Sequence, residues 1–319
     1  MRRIFFAIPL LMACSSATTD EATVASSSGD TSTTSTGGQG GMSASSASDA
    51  SSSMSSSTGG ASECTLAANT TATDVVNGFG CARLNRDASA CLAARTAQGL
   101  TGDWLKFSCR VKLTVDTSGA TPFVLVEADS RPDYKSNYFE TEDACWDDYK
   151  VPGKATPNLI MPQTIKTKVP LTPSGGGTDK KTNDAGVAVN GVWIFNDAAA
   201  PPDDIYKAVN SFDRCGGHPD PQNGGTYHYH IEPNAISSDD ANLVGILRDG
   251  YFVYGRRDGD NSLATGLDVN GGHTGTTTHS PMTPVYHYHV VEQTSTTAGT
   301  LGQKAWFIAI GKFHGQLLK

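Results

Sequence analysis

Residues 224–233 read GGTYHYHIEP, and residues 283–292 read TPVYHYHVVE. The chain of 319 residues contains eight histidines, so these two Tyr-His-Tyr-His tetrapeptides hold half of them. In a β-strand successive side chains point to opposite faces, so the two histidines of each tetrapeptide share one face and the tyrosines share the other. Two such imidazoles stand about 7 Å apart at their bases and can converge on one metal ion. Each tetrapeptide therefore predicts a strand that carries a two-histidine chelate.

The segments that precede the tetrapeptides also match each other. GVAVNGVWIFN at residues 186–196 aligns with GILRDGYFVYG at residues 245–255, at the same offset of 59 residues that separates the tetrapeptides. DRCGGH at residues 213–218 aligns with DVNGGH at residues 268–273, at an offset of 55. Asn-Gly and Asp-Gly are typical of tight hairpin turns. The pattern predicts a mainly β fold, an internally duplicated β-rich domain whose two repeats of about 59 residues pack around a pseudo-twofold axis.

Each repeat offers the same set of candidate metal ligands. A third histidine follows a Gly-Gly pair, which lets the backbone turn sharply and aim the side chain. An aspartate five residues earlier is predicted to complete the coordination or to orient an imidazole. The candidates are His218, His228, His230 and Asp213 in the first repeat, and His273, His287, His289 and Asp268 in the second. The two sets predict either two mononuclear sites or one dinuclear site at the pseudo-axis. His279 and His314 lie outside the repeated blocks and are predicted to be loop or surface residues.

The chemistry of such a site stays open at this point. Three imidazoles with an open position suit zinc or copper. Zinc would support hydrolysis of a phosphate ester, peptide or glycan through a bound hydroxide, whereas copper would support redox chemistry or sequestration. A non-metal alternative is a recognition or adhesion surface in which the histidines and Trp193 contact a sugar, a peptide or a small molecule. The sequence has no phosphate loop, dinucleotide fingerprint or Gly-x-Ser-x-Gly motif, so no nucleotide cofactor is expected.

The first residues predict export. Residues 1–14 contain two arginines, an apolar run too short to span a bilayer, and Leu-Met-Ala-Cys, which resembles a bacterial lipobox ending at Cys14. We expect an extracytoplasmic protein lipid-anchored through Cys14 to a bacterial membrane, the outer membrane where the cell has two. Residues 15–62 are almost entirely Ser, Thr, Gly and Ala and predict a disordered tether. The folded domain is then 63–319, with an N-terminal part 63–185, the first repeat at 186–244 and the second at 245–319.

The other six cysteines predict up to three disulfides, because an even set in an exported chain is typical of a disulfide framework. These are Cys64, Cys81, Cys91, Cys109, Cys145 and Cys215, and their pairing is left open. The formal charge of −8 argues against a nucleic-acid partner. Residues 87–99 predict one short N-terminal helix that ends at Gly99, and strands are expected from Trp104 and from Thr121.

Taken together, these stretches resemble the YHYH domain family, which is named after the tetrapeptide. The resemblance extends from about residue 102 to the end, and the string GGHPDPQNGGTYHYH is its most specific part. It implies a secreted or anchored domain and does not imply a reaction. Relatives tend to have cysteine at the positions of Asn270 and Lys312, which implies that one disulfide is missing here and that Cys215 pairs elsewhere. Tyr134 stands at a position that is histidine in relatives.

Overall fold

The computed structural model describes residues 72–76, 81–84, 88–222 and 224–319, and for 72–76 and 82–84 it describes the backbone alone. The described residues belong to one compact unit. The predicted signal peptide, the lipidation site Cys14, the tether and Cys64 lie outside them. None of the helices in the described ranges combines the length and the apolar character needed to cross a membrane.

The N-terminal part forms one helix and two small antiparallel sheets. Its elements are β1 (Ala72–Val76), β2 (Cys81–Leu84), α1 (Ser89–Ala97), a 3-10 turn (Gly102–Lys106), β3 (Lys112–Asp116), β4 (Phe123–Ala128) and β5 (Ile165–Pro170). β1 pairs with β2, and β4 lies between β3 and β5. The predicted helix and the strand expected from Thr121 are therefore confirmed, as α1 and β4.

The strand expected from Trp104 is wrong in its position. Residues 102–106 form the 3-10 turn, and β3 begins only at Lys112. The reason is the buried side chain of Arg95 on α1, whose guanidinium donates to the carbonyl oxygens of residues 107, 108 and 111. Carbonyls used in this way cannot join a strand ladder. A disulfide between Cys91 and Cys109 ties the helix to the same segment.

The remaining chain forms an eight-stranded sheet and a separate antiparallel pair. The elements are β6 (Gly186–Ala188), β7 (Trp193–Ile194), α2 (Ile205–Ala208), a second 3-10 turn (Val209–Ser211), β8 (Gly217–Pro219), β9 (Tyr227–Tyr229), β10 (Leu243–Leu247), β11 (Phe252–Tyr254), β12 (Gly272–Thr277), β13 (Ser280–His289), β14 (Val291–Thr294) and β15 (Lys304–Phe307). β14 pairs with β15. The short α2 is a helix that the sequence did not predict, while the mainly β class is confirmed.

The order of the large sheet reads the same way outward from its centre. From one edge to the other it is β12-β13-β11-β10-β6-β7-β9-β8. The central pair β10–β6 is antiparallel and each of these two strands pairs antiparallel with its hairpin partner, β11 or β7. Next come parallel pairings, β11 with β13 and β7 with β9, and then antiparallel pairings to β12 and β8. This is the arrangement that two similar halves would give, while duplication of the sequence itself stays a prediction.

The hairpin turns at the centre lie where the sequence predicted them. Gly191 has a φ of +90° and Gly250 a φ of +92°, a left-handed conformation that glycine adopts without steric cost. The N–H of Gly191 donates to the carbonyl of Ala188 and that of Gly250 to the carbonyl of Leu247, each over 2.9 Å. Asn-Gly and Asp-Gly therefore close the β6–β7 and β10–β11 hairpins, as expected.

Disulfides stabilise the N-terminal part and connect it to the sheet. Cys81 bonds to Cys215 and Cys91 bonds to Cys109, and Cys145 is disulfide-bonded as well. The predicted disulfide framework is thus confirmed for every cysteine within the described residues. The backbone N–H of Lys312 donates to the Asn270 side chain over 3.0 Å, so the two positions that are cysteine in relatives are neighbours here.

Candidate metal centres

Three histidines of the first half meet at one point, which we call site A (His218, His228, His230). β8 and β9 are antiparallel neighbours with His218 directly opposite His228, and His230 follows β9 on the same face as His228. The Nε2 atom of His228 lies 3.1 Å from the Nε2 atom of His218 and 3.0 Å from that of His230. All three side chains are buried. The predicted convergence of these imidazoles is therefore what the fold provides.

The outer nitrogens of two site A imidazoles are held by backbone carbonyls. The Nδ1 atom of His228 lies 2.9 Å from the carbonyl oxygen of Thr226, and that of His230 lies 2.5 Å from the carbonyl oxygen of Asn196. A carbonyl oxygen only accepts hydrogen bonds, so each Nδ1 carries the proton and donates. In the neutral ring, the Nε2 atom then presents a lone pair.

His218 reaches the same tautomer through a hydroxyl group. Its Nδ1 atom lies 2.7 Å from the Ser211 hydroxyl oxygen, and that hydroxyl donates its single proton to the carbonyl of Ala208 over 2.6 Å. Ser211 is therefore the acceptor, and the Nδ1 atom of His218 donates to it. All three Nε2 atoms of site A consequently point lone pairs at one another.

Burial keeps these rings neutral. It lowers the pKa of His230 to about 4 and the pKa values of His218 and His228 well below the ordinary range. Three lone pairs without a proton between them repel, and a cation at their centre removes that repulsion. With nitrogen–metal distances of 2.0–2.1 Å, the Nε2 separations correspond to nitrogen–metal–nitrogen angles of about 95°. The donor set fits one transition-metal ion.

Aromatic rings and a cavity surround site A. The ring of Phe195 stacks on His228 with centroids 3.9 Å apart, and Phe212 lies parallel to His230 at 5.9 Å. The three histidines open onto a cavity of about 150 Å³. The other residues that line it are Asn183, Phe195, Ala198, Ala199, Ala200, Asp203, Ala208, Asp220, Pro221 and Gln222.

A second cluster, site B (Asp258, His273, His287, His289), forms in the second half. The three histidines are those that the sequence predicted, and His273 lies directly opposite His287 in the β12–β13 pair. The Asp258 Oδ1 atom lies 3.0 Å from the Nε2 atom of His273, 3.1 Å from that of His289 and 3.8 Å from that of His287. The four donor atoms all lie within 4.8 Å of one another. They could hold a metal ion.

Two nitrogens of site B are buried without a partner. His287 donates from Nδ1 to the carbonyl of Val285 over 2.9 Å, and His289 to that of Gly255 over 2.7 Å. Their Nε2 atoms have no hydrogen-bond partner although both side chains are about 1% exposed. Burial lowers the pKa of His287, and it lowers that of His289 to about 4. Orphaned lone pairs beside a carboxylate are what a bound cation would satisfy.

The sequence reasoning missed Asp258. It lies in RRDGDNS, a stretch without a counterpart of similar composition in the first half, where the offset of 59 residues leads to Ala199. The available signal was its position three residues after Gly255, at the end of the aligned block. That position follows the backbone carbonyl that holds His289, and it brings the carboxylate back to the histidine face.

The prediction that Asp213 is a ligand or orients an imidazole is corrected by the structure. Its Oδ2 atom accepts from the hydroxyls of Tyr227 and Ser136, each over 2.5 Å. Its Oδ1 atom accepts from the backbone N–H groups of Cys215 and Gly217. Tyr227 alternates with His228 along β9, so these contacts lie on the face away from site A. Asp213 fixes the turn that precedes β8 and is not part of site A.

Asp268 has the same place in the second half, so its predicted ligand role is corrected as well. Its Oδ2 atom accepts from the hydroxyl of Tyr286 over 2.9 Å, and its Oδ1 atom accepts from the N–H groups of Asn270 and Gly272. Both aspartates of the Asp-x-x-Gly-Gly-His motif therefore close a turn and hold a tyrosine. Outside both sites, the Nδ1 atom of His279 lies 2.6 Å from Asp103, and His314 stacks on Tyr286.

The sheet order separates the two sites. β9 and β13 carry the tetrapeptides, and four strands lie between them. Five strand steps of about 4.8 Å amount to about 24 Å across the sheet. A dinuclear centre needs ions about 3.5–4 Å apart, so the arrangement gives two mononuclear sites. The recognition alternative required exposed histidines on a flat face, whereas those of site A are buried and convergent.

Comparison with known proteins places one family on this fold. Residues 166–265 match the family model described as YHYH protein, in agreement with the resemblance noted in the sequence. The matched stretch contains all of site A and ends before His273. No curated protein and no solved structure matches the chain.

Proposed function

We propose that this chain, a member of the YHYH family, binds two metal ions of the zinc or copper type, one in site A and one in site B. The observation that carries the proposal is the direction of the Nε2 lone pairs. At each site, protein oxygens hold the Nδ1 protons, so the Nε2 atoms meet without any proton to share. Such an arrangement stabilises a cation and is unfavourable without one.

The donor atoms favour borderline transition metals over hard cations. Imidazole nitrogen suits zinc and copper, whereas magnesium and calcium prefer sets made of oxygen atoms. The carbonyls of Thr226, Asn196, Val285 and Gly255 would act as the outer partners that orient metal-bound histidines. When bound, zinc would supply a Lewis acid and copper a redox centre.

We also propose that the domain works outside the cytoplasm, on a lipid anchor at Cys14. The lipobox-like sequence and the Ser/Thr-rich stretch after it support this placement. The disulfides Cys81–Cys215 and Cys91–Cys109 are in keeping with an oxidising compartment. A tethered metal protein of this kind would meet small molecules, glycans or peptides at the cell surface.

Elemental analysis of the full chain, purified without added affinity histidines, tests the metal proposal. Two ions per chain are expected for the wild type. The double variant H228A/H230A should retain only the site B ion, and H287A/H289A only the site A ion. The matched control H279A/H314A removes two histidines outside the sites and should keep both ions.

The contrary result is a folded wild-type chain that takes up no stoichiometric zinc or copper, either as purified or after reconstitution. Circular dichroism of each variant separates a lost ligand from a lost fold. A folded H228A/H230A chain that still held two ions would also count against site A.

A further inference from the structure

The two sites differ in the number of protein ligands. Site A offers three imidazole nitrogens, whereas site B offers three imidazole nitrogens and one carboxylate. Structural zinc sites usually have four protein ligands, and catalytic ones keep three and leave one position for water or substrate. By this measure site B is closed and site A is open.

Ala199 stands in site A where Asp258 stands in site B. His230 donates to the carbonyl of residue 196, and His289 donates to the carbonyl of Gly255, which is the same position 59 residues later. Three residues further on, the first half has Ala199 and the second half has Asp258. Ala199 lines the cavity in front of the site A histidines. A methyl group and open space thus replace the carboxylate.

The cavity favours a small ligand without negative charge. Its volume is about 150 Å³, and its walls include Phe195 and several alanines. Asp203 and Asp220 contribute carboxylates, and no Lys or Arg is among the described residues that line it. Phosphate and sulfate groups are usually held by cationic side chains or backbone N–H groups. The lining is therefore poorly suited to a phosphate ester.

We infer that the ion in site A takes an exogenous ligand, either water or a small uncharged oxygen or nitrogen donor, while the ion in site B is closed and structural. This inference rests on the proposed metal binding and adds a division of labour to it. The ligand would enter through the cavity and reach the coordination position on the Ala199 side. At site B, the Asp258 carboxylate occupies the equivalent position.

Copper(II) electron paramagnetic resonance of single-site chains tests the division, with imidazole as the probe ligand. The H287A/H289A chain carries only site A, and the H228A/H230A chain carries only site B. Imidazole should change the copper spectrum of the first chain and leave that of the second unchanged. The copper content of each sample is measured after the titration. An unchanged spectrum or lost copper in the first chain, or a response in the second, would overturn the inference.

Exchanging the fourth position gives a matched pair of further variants. Ala199→Asp in the site A chain should retain copper and lose the imidazole response. Asp258→Ala in the site B chain should gain that response. Azide should bind to site A at least about 10-fold more weakly than imidazole, because the cavity has carboxylates and no cationic side chain. Tighter azide binding would overturn the assigned ligand charge.

The two levels of the proposal fail in different ways. Single-site chains that fold but bind no copper would refute metal binding itself. Chains that bind one copper each and respond alike to imidazole would leave metal binding intact and refute only the open and closed assignment.

Discussion

The hydroxyl of Tyr227 donates to the Asp213 carboxylate over 2.5 Å, on the face of β9 away from the histidines. Tyr134 joins the same network, with its hydroxyl 2.9 Å from that of Tyr227 and 2.6 Å from that of Tyr229. The tyrosines of the tetrapeptide thus anchor the strand from behind while His228 faces site A. Burial raises the pKa of Asp213 to about 6, against the hydrogen bonds that favour its charged form. The alternation of Tyr and His separates an anchoring face from a ligand face.

Replacement of Asp213 by alanine should lower stability without removing the site A ion. The change leaves the buried hydroxyls of Tyr227 and Ser136 and two backbone N–H groups without their acceptor, at a cost of about 2–4 kcal/mol in the free energy of unfolding. Urea denaturation measures that cost, and elemental analysis of the folded variant measures the metal. Asp268→Ala is the milder comparison, since its side chain is 39% exposed. A folded Asp213→Ala chain without the site A ion would restore Asp213 as a functional ligand.

Asp258 should control the metal affinity of site B, and Asp268 should not. In the H228A/H230A chain, Asp258→Asn removes the negative charge that lies 3.0–3.1 Å from two histidine Nε2 atoms. Loss of an outer-shell partner already costs about 10–100-fold in affinity, so loss of a direct ligand should cost at least as much. A zinc titration against a competing chelator gives the number. Asp268→Asn in the same background should bind zinc like its parent, and equal affinities for all three chains would contradict the assignment.

The metal-free chain should lose stability as the pH falls from 6.5 towards 4, in part through His230. Burial lowers the folded-state pKa of His230 to about 4 from the ordinary 6.5, so in this window the unfolded chain binds a proton there and the folded chain does not. The free energy of unfolding then decreases with falling pH, by about 3 kcal/mol for this group.

A comparison with His230→Ala isolates that contribution. Between pH 7 and pH 4 the wild type, kept free of metal with a chelator, should lose about 3 kcal/mol more than the variant. Asp213, whose raised pKa acts with the opposite sign, is present in both chains and cancels in the difference. His279→Ala should follow the wild type. Parallel stability curves for wild type and His230→Ala would show that His230 is not held neutral by the fold.

The sequence was informative wherever the structure depends on neighbouring residues. The alternation of Tyr and His sets the two faces of β9, Asn190-Gly191 sets a hairpin turn, and the Gly-Gly pair before His218 leads into β8. These features follow from strand periodicity and from the backbone freedom of glycine. They were enough to predict six of the site histidines and the mainly β class.

Long-range pairing decided what the sequence could not. The separation of sites A and B depends on the parallel pairing of β7 with β9 and of β11 with β13, which no local pattern specifies. The start of β3 depends on a guanidinium from α1, and Asp258 reaches site B from an irregular loop. Asp213 was predicted as a ligand because a carboxylate near a histidine suits a metal, whereas in the fold it closes a turn.

The last prediction concerns the disulfides, which close chain segments of very different length. Cys81 and Cys215 are 134 residues apart in the sequence, and Cys91 and Cys109 are 18 apart. In the chain-entropy description a disulfide restricts the unfolded chain more when it closes a longer loop, which gives about 5 kcal/mol for the long loop and about 3 kcal/mol for the short one. Chemical denaturation should therefore show C81A/C215A to be less stable than C91A/C109A by about 2 kcal/mol. The opposite order would mean that packing of α1 against the 107–111 segment, and not loop closure, dominates the contribution of these bonds.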